Sequence, residues 1–106
     1  MHNLRVMNDA AIKHIVVHGR VQGVGYRAFV EHEALQAGIA GWVRNRRDGS
    51  VEAVLQGKPE IIEAVIESCR RGPFAARVEA VDIATAQPDA LALVRRGERF
   101  SVLPTT

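Results

Sequence analysis

From Lys13 to His18 the chain carries a β-branched apolar run, Ile15, Val16 and Val17, that reads as a buried strand. The run stops where glycines crowd in at Gly19, Gly23 and Gly25, so a loop follows. Beyond it Tyr26, Val30, Ala34 and Ala37 recur at the spacing of one helix face, predicting a helix over Arg27–Ala37 with Gly38 at a left-handed cap. Gly41–Asn45 and Val51–Gln56 are short strand-like runs flanking Asp48-Gly49, a dipeptide that favours a hairpin turn, so they are expected to pair antiparallel. A second helix is announced by Pro59, tolerated at the first helical position, and by Glu60 and Glu63 near the positive end of the dipole. Ile62, Val65, Ile66 and Cys69 share its apolar face, and Gly72-Pro73 ends it after Arg70 and Arg71. A strand around Arg77–Ile83, an irregular connection through Pro88 and a short strand around Phe100–Leu103 complete the chain.

The order is βαββαβ with one short extra strand. Two helices that each follow a strand, with a hairpin between, pack most economically on one face of a single antiparallel sheet, because right-handed crossovers place both on the same side. The expected fold is therefore an α+β ferredoxin-like sandwich. Residues 1–11 mix polar and apolar positions with no period and read as a loosely ordered leader, leaving 12–106 as the domain.

Composition adds limits. With 106 residues, 47% hydrophobic and 25% charged, the chain suits one domain with its own core, and the single Cys69 can form no internal bridge. The N-terminus lacks a continuous apolar stretch of about 7–15 residues, and no run approaches the roughly 20 apolar residues of a membrane span, so a cytoplasmic protein with no membrane partner is expected. A net charge of +2 fits an anionic partner without choosing among nucleic acid, membrane surface and a small phosphorylated molecule. Many activities use this fold, so function has to come from a site.

The candidate site is the segment from Gly19 to Arg27, which leaves a strand, turns on glycines and enters a helix. Backbone N–H groups at a helix start lack partners, which makes Gln22, Gly23, Val24, Gly25 and Tyr26 a potential phosphate cradle, with Arg27 adding a planar fork of donors. The same glycines would serve a tight strand-to-helix turn equally well, and loop composition alone does not choose. Neither GxxxxGK[ST] nor GxGxxG with a following acidic residue occurs, so nucleoside triphosphates and dinucleotides are not indicated.

The motifs GRVQGVGYR, GWVRN and DGSVE together resemble the acylphosphatase family, over roughly Lys13 to Leu103. Tyr26 stands where that family often has phenylalanine. The resemblance implies hydrolysis of small acyl phosphates to a carboxylate and phosphate. It also implies that Arg27, ending the first motif, binds phosphate and that Asn45, ending the second, orients the attacking water. These roles suit the side chains, since arginine stays protonated and asparagine offers one acceptor and two donors without acting as a base. An acyl phosphate has a good leaving group, so charge neutralisation and alignment suffice, with a substrate oxygen taking the water's proton.

No metal or cofactor is expected, because His2, His14, His18 and His32 show no paired ligand spacing. Cys69 and Trp42 read as packing residues, and Tyr26 as the first apolar residue of the helix face rather than an acid. Arg44, Arg46 and Arg47 read as solvated residues around the hairpin, with steering of anions as the alternative. An RNA-binding sheet is disfavoured because Ser50–Gln56 holds no aromatic residue. Acylphosphatase-like domains also occur within larger carbamoyltransferases, but a free-standing, monomeric enzyme is the expectation.

Overall fold

The computed structural model describes residues 10–106. Residues 1–9, which include His2 and most of the expected leader, lie outside the described residues. Eight elements follow in order: β1 (Ala11–Arg20), α1 (Tyr26–Gln36), β2 (Ala40–Asn45), β3 (Val51–Gly57), α2 (Pro59–Arg71), β4 (Arg77–Thr85), a 3₁₀ segment (Pro88–Leu93) and β5 (Phe100–Leu103). The strands form one sheet in the order β4-β1-β3-β2-β5.

The fold is the expected α+β ferredoxin-like sandwich, with one correction to the sheet. Four strands pair antiparallel, but β5 runs parallel to β2, so the sheet is mixed rather than wholly antiparallel. The cause is the connection from β4, which starts at one edge and must reach the other. Its 3₁₀ segment lies over the sheet face away from the helices, where Trp42 Nε1 donates to Ala90 O at 2.7 Å and Ala90, Leu91 and Val94 pack on Trp42, Val54 and Leu103. Chain arriving by that route is laid down alongside β2 in the same direction.

The helix-side core follows from strand alternation. Ile15 and Val17 of β1, Val43 of β2 and Val51, Ala53 and Leu55 of β3 meet Val30 and Ala34 of α1 and Ile62, Val65 and Ile66 of α2. Each such aliphatic side chain, fully buried, contributes about 1.5–3 kcal/mol. The helix ends obey the sequence signals. Gly38, at φ 73°, follows the cap of α1, and the bonds Gly38 N–H to Leu35 O at 3.2 Å and Ile39 N–H to Ala34 O at 2.8 Å close a Schellman motif. Pro59 opens α2 and Arg70 and Arg71 lie in its last turn. No described helix is long and apolar enough to cross a membrane.

Candidate active site

β1 ends at Arg20, and a turn through Val21–Gly25 delivers the chain to α1. Val21 is buried and pins the turn to the core. Gly23 and Gly25 adopt φ of 74° and 79°, where a side chain costs about 1–2 kcal/mol, although a Cβ at either would meet nothing within 4 Å. The requirement is thus one of backbone conformation alone. Gly25 caps α1 with no side-chain hydrogen bond, and the first helical bond is Phe29 N–H to Gly25 O at 3.1 Å. The N–H groups of residues 26–28 therefore have no intrahelical acceptor, and those of residues 22–25 donate to no described residue. Uncommitted amides and the positive end of the helix dipole coincide here, which is the physical description of an anion site.

A cavity of about 460 Å³ opens at this point. Gly23, Gly25, Tyr26, Arg27 and Ala28 line it from the loop and first turn, and Asn45 from the end of β2. Sequence-distant Arg27 and Asn45 thus share one cavity. Arg27 Nη1 donates to Leu103 O at 3.1 Å, which ties the guanidinium to β5 while leaving its other donors free. The Asn45 side chain makes no hydrogen bond to a described residue, whereas its backbone O accepts Thr106 N–H at 3.1 Å.

The other expected cradle residues divide. The Gln22 side chain donates to Arg46 O at 2.7 Å and Ser50 O at 2.8 Å and so fastens the loop to the β2–β3 hairpin, while its backbone N–H donates to no described residue. Val24 packs on the core. Tyr26 lines the cavity but is buried, with its hydroxyl donating to Cys69 O at 2.7 Å. Burial pushes its phenol far above the usual range, so the group is no acid for neutral pH.

Four cavity residues went unsingled in the sequence: Val21, Ala28, Val102 and Glu31. Glu31 had a usable signal, because it follows Arg27 by four positions and so shares its helix face. Val102 had none, since only the parallel pairing of β5 with β2 brings it near. The carbonyl of Leu103 was equally invisible.

Arg44 differs from its reading as a solvated turn residue. It is a β2 residue one position before Asn45, and alternation sends it to the opposite face, where Nε donates to Glu52 Oε1 at 2.8 Å and the guanidinium lies 4.7 Å from the Trp42 ring centre. His14 Nε2 meets the other oxygen of Glu52 at 2.7 Å. Burial opposes the charge on Glu52, but the bonds to His14 and Arg44 outweigh it and hold the carboxyl below the usual range. At the turn, Ser50 hydroxyl and N–H both donate to Asp48, which lowers that carboxyl as well. Cys69 is buried, and burial pushes its thiol up to about 11. Among the described residues no three His, Cys, Asp or Glu side chains converge as metal ligands.

Residues 13–100 match the family model described as acylphosphatase. A Rhodopseudomonas palustris protein named acylphosphatase is 60% identical over 94 residues, covering 89% of this chain and 95% of the relative. The crystal structure of acylphosphatase from Bacillus subtilis aligns with a TM-score of 0.75 at 34% identity, over 87% of this chain and 97% of that one. An acylphosphatase structure from Coxiella burnetii aligns with a TM-score of 0.78 at 30% identity, over 92% and 96% respectively.

Proposed function

Since this chain belongs to the acylphosphatase family, hydrolases that act on acid anhydrides, we propose that Arg27 and the amides from Gly23 to Ala28 hold the phosphoryl group of an acyl phosphate while Asn45 places the attacking water. The observation that carries this reading is the shared cavity, lined by Arg27, the loop with the uncommitted amides and Asn45.

In the proposed reaction the Asn45 side-chain oxygen accepts a hydrogen bond from the water and its NH₂ donates to a phosphoryl oxygen, so the water oxygen faces phosphorus. The water oxygen bonds to phosphorus as the bond to the acyl oxygen breaks. The carboxylate departs with the bonding pair, and a phosphoryl oxygen takes the water's proton. Arg27 and the backbone amides stabilise the charge spread over the equatorial oxygens, which is most of what phosphoryl transfer asks of a protein. The scheme uses neither a metal nor a covalent phosphoenzyme.

The test is hydrolysis of benzoyl phosphate or acetyl phosphate by purified protein with chelator present, against an ordinary phosphomonoester as control. Turnover of the acyl phosphates alone is expected. Loss of activity in chelator that returns with a divalent cation would overturn the metal-free scheme, and no turnover of either acyl phosphate would overturn the whole proposal.

A further inference from the structure

The proposed mechanism accounts for one end of the cavity and leaves Glu31 without a task. Glu31 is the one carboxylate among the residues that line it. It follows Arg27 by four positions on α1, so their Cβ atoms are about 6 Å apart on one helix face. The phosphoryl group belongs at the helix start, where the free amides are, and Glu31 therefore lies one turn beyond it. Its carboxylate makes no ion pair or hydrogen bond with a described residue, and Arg27 donates to Leu103 O instead. At about 460 Å³ the cavity has the volume of a small-molecule site and holds more than a phosphate. The other charged residue among those that line the cavity is Arg27, whose charge the proposed mechanism commits to the phosphoryl group.

We infer that Glu31 gives the acyl end of the site a negative wall, so the enzyme favours acyl groups that are neutral or cationic over those bearing a second anion. This rests on acyl phosphate hydrolysis at the Arg27–Asn45 cavity. A carboxylate at that place repels a dianionic phosphate as well, but that effect is common to all substrates, whereas acyl charge varies. If an acyl charge sits about 7 Å from the carboxylate, an effective ε of about 40–80 makes one unit of acyl charge change kcat/KM by about threefold to sevenfold. The cationic-to-anionic ratio then spans about 7–50.

The experiment uses benzoyl phosphate and two para-substituted forms, trimethylammoniomethyl and carboxymethyl, whose methylene spacers keep the leaving groups similar. In the unaltered protein the cationic substrate should lead the anionic one by that ratio, and about 1 M salt should shrink it, since the Debye length is then about 3 Å. Glu31→Gln should bring the ratio down at least about sevenfold, and Glu31→Lys should reverse the order. A residue that only oriented Arg27 would move all three substrates together, so an unchanged ratio in both variants, each folded by circular dichroism, overturns the inference while leaving the hydrolase intact. Failure of the unaltered protein on uncharged benzoyl phosphate is a separate result, which removes the reading beneath it and this inference with it.

Discussion

Replacing Arg27 by alanine removes five N–H donors, of which one is engaged with Leu103 O at 3.1 Å. If two of the others hold phosphoryl oxygens, two charge-assisted hydrogen bonds disappear, each worth about 1.5–3 kcal/mol. The sum, about 3–6 kcal/mol in the transition state, corresponds to a loss of roughly 10²–10⁴ in kcat/KM. Folding should lose only the single bond from the charged guanidinium to Leu103 O, about 1.5 kcal/mol at this part-buried site, which lowers Tm by about 6–12 °C in a domain of this size. The assay is benzoyl phosphate hydrolysis with inorganic phosphate as competitive inhibitor, beside a thermal melt. Phosphate inhibition should weaken in parallel with the activity, because phosphate meets the same donors. Arg27→Lys separates charge from geometry: a point charge without the fork should recover part of the phosphate binding and less of kcat. An Arg27→Ala protein that melts near the unaltered one and keeps more than a tenth of the activity would refute the assignment.

Asn45→Ala should lower kcat and weaken phosphate inhibition less than Arg27→Ala does, since it removes the water's partner and one neutral donor to phosphate but leaves Arg27 and the amide cradle; steady-state kinetics with retention of full kcat would dismiss the role. Tyr26→Phe leaves Cys69 O without its 2.7 Å donor in the core and should cost about 1–3 kcal/mol in urea unfolding. Glu52 is held below its ordinary range in the fold, so its contribution to stability is present above the unfolded carboxyl value, about 4.3, and disappears as pH falls through the lower folded value. Glu52→Gln should therefore lower the urea midpoint at pH 7 and make little difference once the unaltered Glu52 has itself been protonated in acid; an equal deficit at both pH values would show that pairing with His14 and Arg44 is not the source.

Much of this fold is written in local patterns. Each helix begins and ends within one residue of where Gly38, Pro59 and Gly72 place it, because caps are decided by the conformational needs of single residues. The hairpin was equally legible from Asp48-Gly49, which occupies the turn between β2 and β3. The parallel pairing of β5 was not, since nothing near Phe100 records that the chain has crossed the far face of the sheet under a hydrogen bond from Trp42. The site divides in the same way. The glycine loop and Arg27 can be read as an anion cradle from residue chemistry, but Asn45 stood out only through the family resemblance, because its place beside the loop is a tertiary fact. The bonding of the Gln22 side chain to two hairpin carbonyls was not legible either, because that demand appears only when the hairpin is folded back on the loop.

That last contact explains how two motifs 18 residues apart, from Arg27 to Asn45, can act as one site. On β2 the side chains alternate, so Asn45 reaches the cavity only while Arg44 faces the opposite side of the sheet. A slip of one residue in the β2–β3 pairing would exchange them, putting a guanidinium where the proposed mechanism holds the water. Several bonds oppose the slip from both faces. On the open face Glu52 holds Arg44 and His14 together, which fixes β3 between β2 and β1. At the loop, Gln22 requires the carbonyls of Arg46 and Ser50 at once, and Arg46 N–H to Ser50 O at 2.9 Å keeps those two residues opposed. At the edge, Thr106 accepts from Arg47 N–H and donates to Asn45 O, while three residues earlier Leu103 O receives Arg27. The phosphate loop, the strand carrying Asn45 and the last strand are thus bonded pairwise around the cavity. In the proposed reaction, placement of the water is consequently a property of sheet register, held by polar contacts outside the proposed substrate contacts.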